Sequence, residues 1–93
     1  MDLKFTIIIP IFNEVESIFS LIDELTNEFI IEKPEIIIVN DGSTDEFNNV
    51  FKKKHSHKNI KVVNHKKNLG KCMAMLTGVK HSENHIIAIM DGD

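Results

Sequence analysis

Four short runs rich in Ile and Val, at residues 5–9, 35–39, 60–63 and 85–90, recur along the chain without strict alternation of apolar and polar residues. A strand with one wet face alternates, whereas an unbroken apolar run suits a strand covered on both faces, as in a parallel sheet. The segments between the runs have helical spacing. In 14–30 the residues Val15, Ile18, Ile22, Leu25 and Phe29 fall at steps of three and four and form one stripe. A second helix is expected over 44–55, burying Phe47, Val50 and Phe51, and a third over 70–81, with Cys72, Met75, Leu76 and Val79 on its inner face. Asn13 with Glu16, and Ser43 with Glu46, have the spacing of helix-start caps. The order is βαβαβαβ, and right-handed crossovers turn it into a Rossmann-like open α/β parallel sheet with helices on both sides.

Composition narrows what such a sheet could serve. Ninety-three residues suffice for one core, and with no repeat or Pro/Gly/Ser linker, 1–93 reads as a single unit. Eleven Lys and Arg against fourteen Asp and Glu leave a net charge of −3, so the overall field does not favour nucleic acid as a partner. The apolar runs are far shorter than the roughly 18 residues of a membrane helix. The single cysteine, Cys72, forms no internal disulfide, and the first residues carry no small-residue cleavage site, so a cytoplasmic location is the default expectation. The last residue, Asp93, follows directly on a strand, as expected of a fragment of a longer product.

Ligands of open parallel sheets gather at the carboxyl ends of the strands, where loops and helix starts leave polar groups unpaired. Those ends read Pro10-Ile11-Phe12-Asn13-Glu14, Asn40-Asp41-Gly42-Ser43-Thr44-Asp45, Asn64 to Lys71, and Asp91-Gly92-Asp93. The first has no Gly-rich turn and no Gly-Lys-Ser/Thr cradle, and Glu14 sits where a phosphate would dock on a helix start. These features argue against a dinucleotide or P-loop site. Asp91 and Asp93 offer hard oxygen ligands suited to Mg²⁺ or Mn²⁺ with room for phosphate oxygens, although Asp-Gly-Asp is also an ordinary turn. The Asn40–Asp45 loop can likewise be a turn and a cap. Asp41, at the strand end, is also placed to accept a hydrogen bond from a base N–H or a ribose hydroxyl.

Taken together, a Pro-x-Phe-Asn-Glu turn, an Asn-Asp-Gly-Ser-Thr-Asp loop, an Asn-Leu-Gly-Lys helix start and an Asp-Gly-Asp end, on successive βα units, resemble the family 2 glycosyltransferases over Phe5 to Asp93. The resemblance implies the N-terminal, nucleotide-sugar-binding part of a GT-A fold ending after its DXD motif. It implies an inverting, metal-dependent transfer from a UDP- or GDP-sugar to an acceptor sugar or a lipid phosphate at a membrane surface. Pro10, Phe12 and Glu14 match the segment flanking the nucleoside, with Phe12 in place of the usual Tyr. Val39 and Asp41 match the strand-end pair contacting base and ribose. Asp91 matches a residue near ribose or metal, and Asp91 with Asp93 the cation site. Asn68, Gly70, Lys71, Ala74 and Gly78 match the Asn-x-Gly-Lys helix, where Lys71 faces substrate phosphate or solvent. The Glu14–Ile18 helix start and the Met-rich third helix look most like polyprenyl-phosphate sugar transferases. The resemblance also implies a catalytic base beyond Asp93.

Other features read more simply. Seven of the eleven basic residues fall between Lys52 and Lys67, which describes a solvated helix end and loop or a patch for an anionic membrane. The five histidines match no zinc spacing and are expected on the surface. Cys72 is expected in the core. An exposed last-strand edge leaves self-association open, and two other functions stand beside the transferase: a non-catalytic interaction module and a Mg²⁺-dependent phosphotransfer domain.

Overall fold

The computed structural model describes residues 4–54 and 59–92. Its elements run β1 (Phe5–Ile11), α1 (Val15–Glu28), β2 (Glu35–Asp41), α2 (Phe47–Lys54), β3 (Ile60–His65), α3 (Lys71–His81) and β4 (Ile86–Ile89). The four strands form one sheet in the order β3-β2-β1-β4, every neighbouring pair parallel. The expected α/β architecture is therefore the observed one.

The unbroken apolar runs have their explanation in two covered faces. Ile7, Ile9, Ile11, Ile36 and Ile38 join Ile18, Ile22, Leu25 and Phe47 in the larger core, where Phe19 stacks on Phe47. On the other face Ile8, Ile37 and Val39 pack with Ala74 of α3. Both sets are almost fully buried, and at about 2 kcal/mol per buried Ile they supply the main driving force for the fold.

The third helix turns a different face inward from the one expected. Ala74 and Gly78 are buried, while Cys72, Leu76 and Val79 are exposed and Met75 is half-buried. Close approach decides this: a Cβ at Gly78 would lie 2.5 Å from Ile8 Cγ2, so only the small-residue face fits against the sheet. The larger side chains are turned outward by default.

The expected caps are also replaced. Asn13 adopts φ +54 and lies outside α1, whose flanking residue Glu14 makes no side-chain cap. Instead Asp45 accepts from the Val15 amide through Oδ2 and from the Phe47 amide through Oδ1, so one carboxylate serves the starts of both α1 and α2. Ser43 Oγ accepts from Asn13 N, and Asn13 Oδ1 accepts from Thr44 N at 2.8 Å. The first two strand-end loops are thereby tied together across some thirty residues.

The basic residues do not share one patch. Lys52, Lys53 and Lys54 end α2, and Lys61 near the amino end of β3 pairs with Glu35 and Glu83. Lys66 and Lys67 follow the carboxyl end of β3, at the opposite rim of a parallel sheet. Lys58 lies outside the described residues. No described helix is long and apolar enough to cross a membrane.

Candidate functional site

At the carboxyl rim a cleft of about 280 Å³ is lined by Pro10, Phe12, Glu14, Asp41, Asn68, Gly70, Lys71 and Asp91, together with Ile11 and Gly92. The carboxyl ends of all four strands contribute. Of the residues singled out in the sequence, Pro10, Phe12, Glu14, Asp41, Lys71 and Asp91 meet there. Val39 does not line it, because its side chain is fully buried beside Ile8, Ile37 and Ala74. Asp93 lies outside the described residues.

The cleft is assembled by loops that hold one another. Gly42 sits at φ +75 with the 67–68 backbone directly over it, where an added Cβ would be 2.4 Å from Asn68 N. Only glycine allows both that conformation and that approach. Asn40 is buried and donates to Asn64 Oδ1 while its own Oδ1 accepts from Ser43 N. Ser17 of α1 donates to the Gly92 carbonyl at 2.8 Å and so anchors the segment carrying Asp91.

Asp41 is the most constrained group of the rim. It is only 4% exposed. Its Oδ1 accepts from the ring nitrogen Nδ1 of His65 at 2.7 Å and from Leu69 N at 2.9 Å, and its Oδ2 accepts from Gly70 N at 2.9 Å. Its carbonyl accepts from Asn68 Nδ2. Burial by itself would raise the carboxyl pKa, but the His65 hydrogen bond, the two amides and the nearby imidazole outweigh it and hold the group below the ordinary carboxylate range. Asp41 is an ionised acceptor at neutral pH.

His65 corrects an expectation. Its side chain is 9% exposed rather than on the surface, and its Nε2 lies 2.8 Å from Thr77 Oγ1 of α3. The missed signal was register: Asp41 and His65 end adjacent strands and are direct partners in the ladder. His81 and His85 are exposed as expected, and His55 and His57 lie outside the described residues. Cys72, expected in the core, is exposed.

Phe12 and the Lys71–Asp91 pair complete the cleft. Phe12 is 45% exposed, which leaves a ring face free of the core. Lys71, the first residue of α3, pairs with Asp91 Oδ1, and both side chains are more than half exposed. The rim thus offers an apolar ring, a buried anionic acceptor, a cation at a helix start and an exposed carboxylate. That set suits a ligand with a flat heterocycle, hydroxyls and phosphates.

The sequence matches glycosyl transferase family 2 over residues 6–93. The chain belongs to that family. Among similar proteins are a dolichyl-phosphate beta-glucosyltransferase of Trichomonas vaginalis, 35% identical, and a dodecaprenyl-phosphate galacturonate synthase of Rhizobium johnstonii, 31% identical. The alignments cover 95% and 99% of this chain and 28% of each relative, so the chain spans little more than a quarter of their length. Among solved structures, a mannosyltransferase of Pyrobaculum calidifontis in complex with GDP-Man and Mn²⁺ superposes with a TM-score of 0.84 at 26% identity, over 96% of this chain and 27% of that one. The Rossmann-like sheet of this family 2 chain is that of the GT-A glycosyltransferases.

Proposed function

We propose that this chain is the donor-binding part of an inverting, metal-dependent hexosyltransferase that takes a sugar from a UDP- or GDP-sugar. The observation that carries the reading is the convergence of Pro10, Phe12, Glu14, Asp41, Lys71 and Asp91, from the carboxyl ends of four strands, on one cleft in a family 2 chain. Phe12 offers a face for the base. Asp41, ionised and held by donors on its inner side, accepts a hydrogen bond from base or ribose. Lys71 faces the diphosphate.

The rim also fits a divalent cation. Asp91 presents an exposed carboxylate in the cleft, Glu14 lines the same cleft, and Mg²⁺ or Mn²⁺ commonly takes one or two protein carboxylates and completes its shell with phosphate oxygens and water. Asp91 and, by the motif, Asp93 would hold it. When bound, such a cation supplies charge neutralisation to the departing diphosphate. Lys71 then has two anionic neighbours, Asp91 and the donor phosphates, and bridges them.

For the acceptor, the polyprenyl-phosphate names of the two relatives support a lipid phosphate, and we place the full-length protein at the cytoplasmic face of a membrane. A phosphomonoester with a second pKa of about 6 is already anionic near neutral pH, so this acceptor needs no strong base. We assign acceptor activation to none of the described residues, and expect the 93-residue chain to bind donor without turning it over. The phosphotransfer alternative is disfavoured by Asp41, three of whose acceptor positions are taken by inward donors, which leaves it suited to one further hydrogen bond and not to taking up a phosphoryl group. Titration calorimetry with UDP, GDP and their sugars, with and without Mn²⁺, tests the proposal. Metal-enhanced binding of at least one of them is expected, and its absence for all of them would overturn the reading.

A further inference from the structure

Among the described residues at the carboxyl rim, the proposed donor site leaves one largely enclosed titratable side chain without a role, His65, whose side chain is 9% exposed. It resides at the end of β3, outside the cleft lining, clamped between β2 and α3. A carboxylate has about four acceptor positions. In Asp41 two are taken on Oδ1, by His65 and the Leu69 amide, and one on Oδ2, by the Gly70 amide. One position remains, on Oδ2. Because an ionised carboxylate only accepts, His65 donates from Nδ1, and in the neutral ring Nε2 is then the acceptor for the Thr77 hydroxyl. Both ring nitrogens are engaged, so the imidazole cannot rotate without losing a partner on β2 or on α3.

We propose that His65 is a positioning residue for the donor site. By filling Oδ1 it fixes the rotation of the Asp41 carboxylate, keeps Leu69 and Gly70 seated at the start of α3, and presents the one remaining acceptor position of Oδ2 to a single N–H or O–H donor of the nucleotide. This rests on the donor-binding reading above. His65 touches no ligand itself; it acts through Asp41.

Two amide variants divide its contacts. In His65→Asn the side-chain nitrogen takes the place of Nδ1, keeping the Asp41 bond and dropping Thr77. In His65→Gln it takes the place of Nε2, keeping Thr77 and dropping Asp41. Amide hydrogen exchange on the 93-residue chain, read at Leu69 and Gly70 and referenced to the Ile38 amide in β2, is expected to stay near wild type in the Asn variant. In the Gln variant and in His65→Leu it is expected to rise about tenfold at Leu69 and Gly70 with Ile38 unchanged, the scale of one lost hydrogen bond to a charged group. Affinity for UDP or GDP with Mn²⁺ is expected to follow the same split, falling about tenfold in the Gln and Leu variants alone. Equal exchange and equal affinity in the Asn and Gln variants would overturn the proposal, and that pair decides even where the Leu variant fails to fold. A wild-type chain that binds no nucleotide would sink the donor-binding reading instead, while the exchange split still decides whether His65 seats the loop.

Discussion

At the amino rim of the sheet Glu35 accepts three hydrogen bonds, from the Thr6 hydroxyl, the Glu83 amide and Lys61 Nζ, just as Asp41 accepts three at the carboxyl rim. Both carboxylates are held below the ordinary range. For Glu35, burial would raise the pKa, and the hydrogen bonds and charge of Lys61, with the Glu83 amide and the Thr6 hydroxyl, outweigh it. What differs is the origin of the donors. Two of the three on Glu35 are side chains of neighbouring strands, and the buried Thr6 hydroxyl is also within hydrogen-bond distance of Ser82 and Asn84, so the network closes the α3–β4 turn onto the sheet. The donors on Asp41 are backbone amides opening α3 and a histidine held on both ring nitrogens and only 9% exposed. Moving Asp41 therefore moves Gly70 and Lys71, which line the cleft, whereas moving Glu35 loosens a turn. Equal carboxylate chemistry makes a clasp at one rim and the frame of a cleft at the other.

The contrast can be broken most directly by removing the two carboxylates. Asp41→Ala strands His65 and two loop amides in a nearly closed environment and is expected to cost about 4 kcal/mol. With each kcal/mol worth roughly 4–8 °C in a domain of this size, the thermal midpoint falls by tens of degrees. Glu35→Ala, whose Lys61 partner can turn to water or to Glu83, is expected to cost about 1 kcal/mol. Equal losses in chemical denaturation would erase the distinction between the rims.

Gly42→Ala comes next, at about 3 kcal/mol. It combines a strained positive φ with a Cβ 2.4 Å from the Asn68 backbone, and it is expected to lower nucleotide affinity as well by lifting the 67–68 segment. Calorimetric unfolding and nucleotide titration of the same variant check both parts.

Acid sensitivity sharpens the comparison further. A carboxylate whose folded pKa is depressed stabilises the fold above its unfolded pKa and loses that contribution as pH falls through the folded value. With ordinary values of 3.8 for Asp41 and 4.5 for Glu35, urea midpoints should hold near neutrality and decline progressively below about pH 4.5. Asp41→Asn and Glu35→Gln should each flatten part of that decline, and an unchanged pH profile in both would contradict the assigned bonds. The smallest stability effect belongs to Lys71→Met. Its pair with Asp91 is more than half exposed, so unfolding free energy should move by less than about 0.5 kcal/mol while affinity for a nucleoside diphosphate falls.

The order of elements along the chain, the parallel sheet and the rim at which the cleft opens were legible in the chain itself. Apolar runs without alternation, helical spacing between them and polar strand-end loops are local patterns, readable from a dozen residues at a time. The strand-end loops holding Pro10, Phe12, Glu14, Asp41, Lys71 and Asp91 are local in the same way, and it was the resemblance to family 2 that singled these residues out within them, together with Val39, which the structure keeps out of the cleft. Tertiary structure alone decided that Ala74 and Gly78, not Cys72 and Leu76, face the sheet, because the choice turns on how closely α3 approaches Ile8. It alone put His65 against Asp41, gave Asp45 the starts of two helices, and sent the lysines to opposite rims. Each of these depends on which residues the fold brings together across stretches of some twenty to seventy positions, and hydrogen bonds and steric limits between such partners leave no periodic trace in sequence.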